Sequence, residues 1–203
     1  EDKVEYFESD NNPEDPASGK HSMAFTKELY IEREDFMEVP VKGYHRLYPG
    51  NEIRLKGAYY VKAVSIDKDE NGNIVAVHCT YDPESRGGET PDGRKVKGTS
   101  HWVSAKYNIK AEVRQYDKLF KAEIPGAATG NYLDDINPDS LIVLKDSVIE
   151  EEAKNAKVGD YLQFVRNGYY CVDCKDSTPE HMVFNRTVTL KDSWSKMKAK
   201  MGL

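Results

Sequence analysis

The sequence predicts a mainly all-β protein made of two small β-barrels with short helices. Three observations carry this. Two Asn-Gly pairs each separate runs rich in β-branched and aromatic residues. Further short apolar runs recur at roughly 8–12-residue spacing between Gly, Pro and Asn, the rhythm of barrels and sandwiches. Helix-period patterns are scarce. The length of 203 residues suits one large domain or two small ones of roughly 100–150 residues each, and the Pro/Gly-containing stretch Ile124–Asn137 separates two strand groups.

Taken in order, residues 1–21 read as an acidic linker. Seven carboxylates stand there against Lys3 and Lys20, with Asn11-Asn12-Pro13, Pro16-Ala17-Ser18-Gly19 and no apolar periodicity. Residues 22–125 form the first barrel region. Its expected strands are Glu28–Glu32, Glu52–Lys56, the pair Ala58–Ile66 and Ile74–Tyr81 around Asn71-Gly72, then Gly98–Ser104 and Ala111–Tyr116. Asn-Gly tolerates the positive φ that tight hairpins require. Residues 126–203 form the second barrel region: a turn at Pro138-Asp139-Ser140, the pair Tyr161–Arg166 and Tyr169–Asp173 around Asn167-Gly168, a strand at Met182–Leu190 and a terminal helix at Asp192–Met201.

Lys and Arg total 29 against 35 Asp and Glu, a formal charge of −6. That sum argues against binding by bulk positive charge, but most of the acidity lies in the first 20 residues. No apolar run approaches the ~20 residues of a membrane span. Three cysteines, Cys79, Cys171 and Cys174, are too few for a disulfide scaffold. With no apolar leader, a reducing cytoplasm is the expected compartment, which also makes the Asn185-Arg186-Thr187 sequon irrelevant. Glu1 is a non-Met start, and the sequence reads as an excised fragment.

Phosphate loops, dinucleotide fingerprints, zinc-protease helices and nucleophile elbows are all missing from the sequence. Asp67–Gly72 imitates the front of a calcium loop, but His78 stands where a bidentate Glu is required; it reads as a hairpin turn. Cys171-Val172-Asp173-Cys174 lacks a partner set for zinc. No metal site is expected.

One stretch is locally basic. Residues 42–62 carry Lys42, Arg46, Arg54, Lys56 and Lys62 against Glu52, interleaved with Tyr44, Tyr48, Tyr59 and Tyr60. Arg54 and Lys56, two apart, share one strand face. Cations reach phosphates and base edges while aromatics stack on unpaired bases; the competing reading is a solvated strand face over core tyrosines. A second basic knot, Arg94, Lys95 and Lys97 between Gly93 and Gly98, has the composition of a phosphate-gripping loop.

Longer strings are more specific. Ile31-Glu32-Arg33-Glu34-Asp35-Phe36, Arg54-Leu55-Lys56-Gly57-Ala58-Tyr59, His78-Cys79-Thr80-Tyr81-Asp82, Asp92-Gly93-Arg94-Lys95-Val96-Lys97-Gly98, His101-Trp102-Val103-Ser104, Asn137-Pro138-Asp139-Ser140-Leu141 and Phe184-Asn185-Arg186-Thr187-Val188 occur in this order. Together they resemble the C-terminal anticodon-binding domain of the glutaminyl-tRNA synthetases over roughly residues 22–194. The resemblance implies two barrels of the ribosomal 5S-RNA-binding type. It also implies a chain that reads tRNA-Gln through its anticodon loop and forms no aminoacyl bond itself. A class I catalytic domain of the same polypeptide would hold ATP and magnesium, with no cofactor bound here, no membrane contact and a monomeric state. Carried over by motif, Arg46 reads the third anticodon base, and Arg54 and Lys56 hold the first base and its phosphate. Gln163 and Arg166 face the central uracil. His45, Arg94, Lys95 and Lys97 are expected phosphate contacts; His45 stands where Lys is common, and Lys56 where Arg is common. A glutamyl-type anticodon domain and a ribosomal 5S-rRNA-binding protein are the competing readings.

Overall fold

The computed structural model describes residues 3–190, and within them the regular structure is short strands joined by brief 3-10 turns. The all-β expectation holds. The helix expected at Asp192–Met201 lies outside the described residues. Two compact units divide the chain: the first runs to Asn108 and takes in Glu150–Glu152, and the second holds Ile109–Ile149 and resumes at Ala153.

The first unit begins where a linker was expected. Strand β1 (Glu5–Asp10) pairs antiparallel with β2 (Lys20–Phe25), from Glu5↔Phe25 to Asp10↔Lys20. Phe7 is buried and meets Phe25 and Tyr59 edge-on at 5.6 and 5.4 Å, while Phe25 meets Trp102 at 5.1 Å. One inward ring per strand is enough to seat the hairpin on this aromatic cluster, so no alternation shows in the sequence. At the tip, the Asp15 carboxylate accepts the Ala17 N–H and opens the turn Pro16–Ser18.

Six further strands complete the unit: β3 (Leu29–Tyr30), β4 (Glu52–Leu55), β5 (Tyr60–Lys68), β6 (Ile74–Asp82), β7 (Gly98–Ser100) and β8 (Val103–Ser104). A four-stranded sheet runs β6-β5-β4-β7, with β4 and β7 parallel, and β3 pairs antiparallel with β8. β4 alternates as expected: Ile53 and Leu55 point into the core, Glu52 and Arg54 outward. Burying Ile53 and Tyr60 contributes roughly 1.5–3 kcal/mol each. The strand expected over Gly98–Ser104 is broken in two because Trp102 turns inward, 1% exposed, and donates its indole N–H to the Lys56 carbonyl at 3.0 Å. The β5–β6 connection is longer than a two-residue Asn-Gly turn. Its loop is built on Asp69, whose carboxylate accepts the N–H groups of Asn71 and Asn73 and the Asn73 amide.

In the second unit, β9 (Asn108–Tyr116), β10 (Leu141–Glu150), β11 (Tyr161–Phe164), β12 (Gly168–Val172) and β13 (Met182–Thr189) form one sheet in the order β10-β9-β13-β12-β11. β9 and β13 run parallel, while β11, β12 and β13 are successively antiparallel. This pairing moves the boundary from the expected 125 to 108, since β9 is a central strand of the second sheet. The Pro/Gly stretch is an excursion within that unit. Its arms are tied by Lys121 N–H to Asp135 O and Asn137 N–H to Leu119 O, both 2.8 Å. Val113, Tyr170, Val172 and Phe184 fill the core, with Phe164 stacked on Tyr170 at 4.2 Å.

Candidate nucleic-acid interface

In the first unit, Arg46 is fixed from below. Its guanidinium lies 3.1 Å from the carboxylate of Asp35, which has no exposed surface, and donates to the Glu34 carbonyl at 3.4 Å. The backbone holds the two segments in register through Leu47 N–H to Asp35 O and Met37 N–H to Leu47 O. Next along the chain, His45 opens onto a cleft of about 600 Å³ lined by Tyr44, Tyr48, Lys95 and Lys97, with Gly98 among its walls. Gly98 has no alternative there, because a Cβ would sit 2.2 Å from the His45 carbonyl oxygen and 2.6 Å from Ile53.

Arg54 and Arg94 flank the ring of buried Tyr60, each guanidinium 5.3 Å from its centroid. Arg54 also donates to the Tyr60 hydroxyl at 3.0 Å. Arg94 is committed within the chain. It makes two 3.0 Å bonds to Glu52, one of 2.5 Å to Asp82 and one of 2.8 Å to Asp92, and the Glu52 carboxylate foremost holds it protonated. Hydrogen bonds from Thr90 and then Arg94 pull the Asp92 carboxyl down to about 2. Lys56, Lys95 and Lys97 face solvent. Tyr44, Tyr59 and Tyr60 are buried, so these three tyrosines of the basic stretch are core residues rather than stacking surfaces.

In the second unit, Gln163 is exposed on β11 between the inward Leu162 and Phe164. Arg166 is in the three-residue loop to β12 at φ +70°, a left-handed conformation that costs a non-glycine residue about 1 kcal/mol. The Asn167 N–H bonds back to the Phe164 carbonyl at 2.9 Å and closes the loop.

Two family models, both described as tRNA synthetases class I (E and Q), anti-codon binding domain, match residues 1–82 and 99–173. The glutamine–tRNA ligase of Clostridioides difficile (strain 630) is 50% identical over 98% of this chain and 36% of its own length. That of Vibrio vulnificus (strain YJ016) is 46% identical over 98% of the chain and 35% of its own; for Rhodopirellula baltica the figures are 49%, 98% and 33%. The chain belongs to the anticodon-binding domains of the class I E and Q tRNA synthetases, glutaminyl type. It spans about one third of the length of the curated relatives it matches.

In this anticodon-binding chain the expected readers fall into two groups, Arg46, Arg54 and Lys56 with the first unit and Gln163 and Arg166 with the second. His45, Lys95 and Lys97 line one cleft, whereas Arg94 buttresses Tyr60. Sequence reasoning missed Asp35, whose only signal is its place immediately before the apolar pair Phe36-Met37. It also missed a trio in the first unit: Glu150 accepts from His21 at 3.0 Å, and lies 3.2 Å from His101. Burial pushes the Glu150 carboxyl up, but the hydrogen bonds from His101 and His21 outweigh it and hold the group at about 2. The His21 ring is correspondingly raised, chiefly by Glu150. Among the described residues no cluster of three His, Cys, Asp or Glu is arranged around a common cation position, and none of the helices is long and apolar enough to cross a membrane.

Proposed function

We propose that this chain docks the anticodon loop of tRNA-Gln, with unpaired bases held in separate polar sites. Arg46 takes the third base, Arg54 and Lys56 the first base and its phosphate, and Gln163 with Arg166 the central uracil. The observation that carries the reading is the β11–β12 hairpin, which presents an exposed amide and a guanidinium at a backbone conformation unfavourable for Arg. An amide offers donor and acceptor to a pyrimidine edge, and a guanidinium forks onto a base edge or phosphate. His45, Lys95 and Lys97 supply phosphate contacts along their cleft. Arg94 acts indirectly by fixing Tyr60 behind Arg54.

A catalytic portion of the same polypeptide, holding ATP and magnesium, would attach glutamine once the loop is docked. The whole would work as a monomer in the cytoplasm. Anticodon stem-loops with the central base varied, titrated at stated salt into the full-length protein, test the reading. Gln163→Ala is expected to weaken binding of the uracil loop roughly 10-fold and flatten the preference for uracil, since a base-edge contact is worth about 1–3 kcal/mol. Unchanged affinity and preference in both Gln163→Ala and Arg46→Ala would refute the assignment.

A further inference from the structure

The β11–β12 hairpin has a solvent face of which the reading above uses only Gln163. Its register sets Gln163 directly opposite Tyr169 and Tyr161 opposite Cys171. Since Tyr161 and Gln163 are two apart on β11, and Tyr169 and Cys171 two apart on β12, all four lie on one face. The other face is the core: Leu162, Phe164, Tyr170 and Val172 pack there. Tyr161 is 73% exposed and Tyr169 42%. Among the described residues neither ring stacks on another or has its hydroxyl bonded. They are diagonal neighbours, roughly 7–8 Å apart at the backbone, and Gln163 adjoins both, two residues along from Tyr161 and directly across from Tyr169. Val188, opposite Tyr169 on β13 and 58% exposed, continues the surface.

Two uncovered aromatic rings flanking an exposed amide form a site for a flat, hydrogen-bonding solute. Rings supply π-faces, the amide reads an edge, and the Arg166 cation is carried by the same hairpin. An unpaired nucleotide has these properties together: a stacking face, a polar edge and a phosphate. Base–aromatic stacking contributes about 1–3 kcal/mol per base.

We propose that Tyr161 and Tyr169 are base-stacking residues that hold the nucleotide read by Gln163. The inference rests on the anticodon reading of this hairpin but adds two residues to it. Tyr169, directly across from Gln163, stacks the base that Gln163 reads; Tyr161 supports the neighbouring base.

The full-length protein and an anticodon stem-loop with central uracil provide the test. Tyr169→Leu is expected to weaken binding about 5- to 100-fold, Tyr161→Leu by less, and Tyr169→Phe to restore nearly parental affinity because the ring face remains. 5-Iodouridine at the central position is expected to photocrosslink to Tyr169. Parental affinity in both leucine variants alongside a weakened Gln163→Ala overturns the stacking and leaves the anticodon reading standing. Parental affinity in all three overturns both. Nitration of exposed tyrosines gives an independent readout: protection of Tyr161 and Tyr169 is expected only when RNA is added. Protection without RNA means that protein covers this face, and overturns the proposal.

Discussion

Asp35 is a carboxylate with no exposed surface whose position is set by backbone bonds on both sides, and it lies 3.1 Å from the Arg46 guanidinium. Removing one partner of such a pair leaves the other buried and uncompensated, at about 3–5 kcal/mol. Asp35→Ala is therefore expected to lower the unfolding free energy by about 3 kcal/mol in urea titration and to weaken RNA binding through loss of Arg46 alignment. Arg46→Ala, which removes the cation facing the fully buried Asp35 carboxylate, should cost at least as much stability. At Arg166 the signs separate. Glycine suits φ +70°, so Arg166→Gly is expected to leave stability unchanged or raise it by up to about 1 kcal/mol while weakening stem-loop binding. Thermal melting beside binding titration distinguishes the two effects. Arg46, Arg54, Gln163 and Arg166 were legible as candidates through the chain's resemblance to one family. Asp35 was not, because burial of a single carboxylate depends on neighbours distant in the chain, and neither was the commitment of Arg94, which takes Glu52 and Asp82 from two other strands.

Strands β4, β5, β6, β11, β12 and β13 follow closely from β-branched alternation and turn chemistry. Those that escaped notice obey other rules. β1 has a single inward ring in an acidic run, and β10 opens with the run Leu141–Leu144, which reads as a fully buried strand yet is 38–45% exposed at every position. Close approach of β7 to the His45 backbone predicts that Gly98→Ala, with no room for a Cβ, destabilises by about 3 kcal/mol and distorts the His45–Lys97 cleft. The His21–Glu150–His101 trio is a clasp within the first unit, tying β2 to the β7–β8 connection through Glu150. Glu150, with its lowered pKa, contributes above its usual range near 4.5 and loses that contribution as pH falls towards 2. His21, with its raised pKa, contributes fully below 6.5 and loses it as pH climbs through the raised value. The clasp is thus strongest between about pH 4.5 and 6.5. Melting temperatures at pH 5.5 and 8 should show a drop of a few degrees that Glu150→Gln abolishes; an identical pH dependence in that variant would refute the clasp.

At the scale of the whole molecule, a chain of net charge −6 must bind RNA through few local cations. The solvent-facing candidates are His45, Lys56, Lys95 and Lys97, with the guanidiniums of Arg46 and Arg54 partly engaged by Asp35 and Tyr60. Three to five phosphate contacts imply a slope of log affinity against log salt of about −2 to −3.5, much shallower than for proteins that bind by bulk charge. A slope steeper than about −6 would mean that the interface lies elsewhere.

The hairpin of β1 and β2 also sets a limit for anyone shortening the molecule. Composition invites a start at Ser22, after the acidic stretch. Such a truncation would delete β1, strip β2 of its hydrogen-bonding partner and uncover Phe25, Tyr59 and Trp102. The product would present an open sheet edge beside a cluster of bare rings, a template for self-association. The acidic residues thus travel with the strand that shields those rings, and trimming away the charge removes the shield as well.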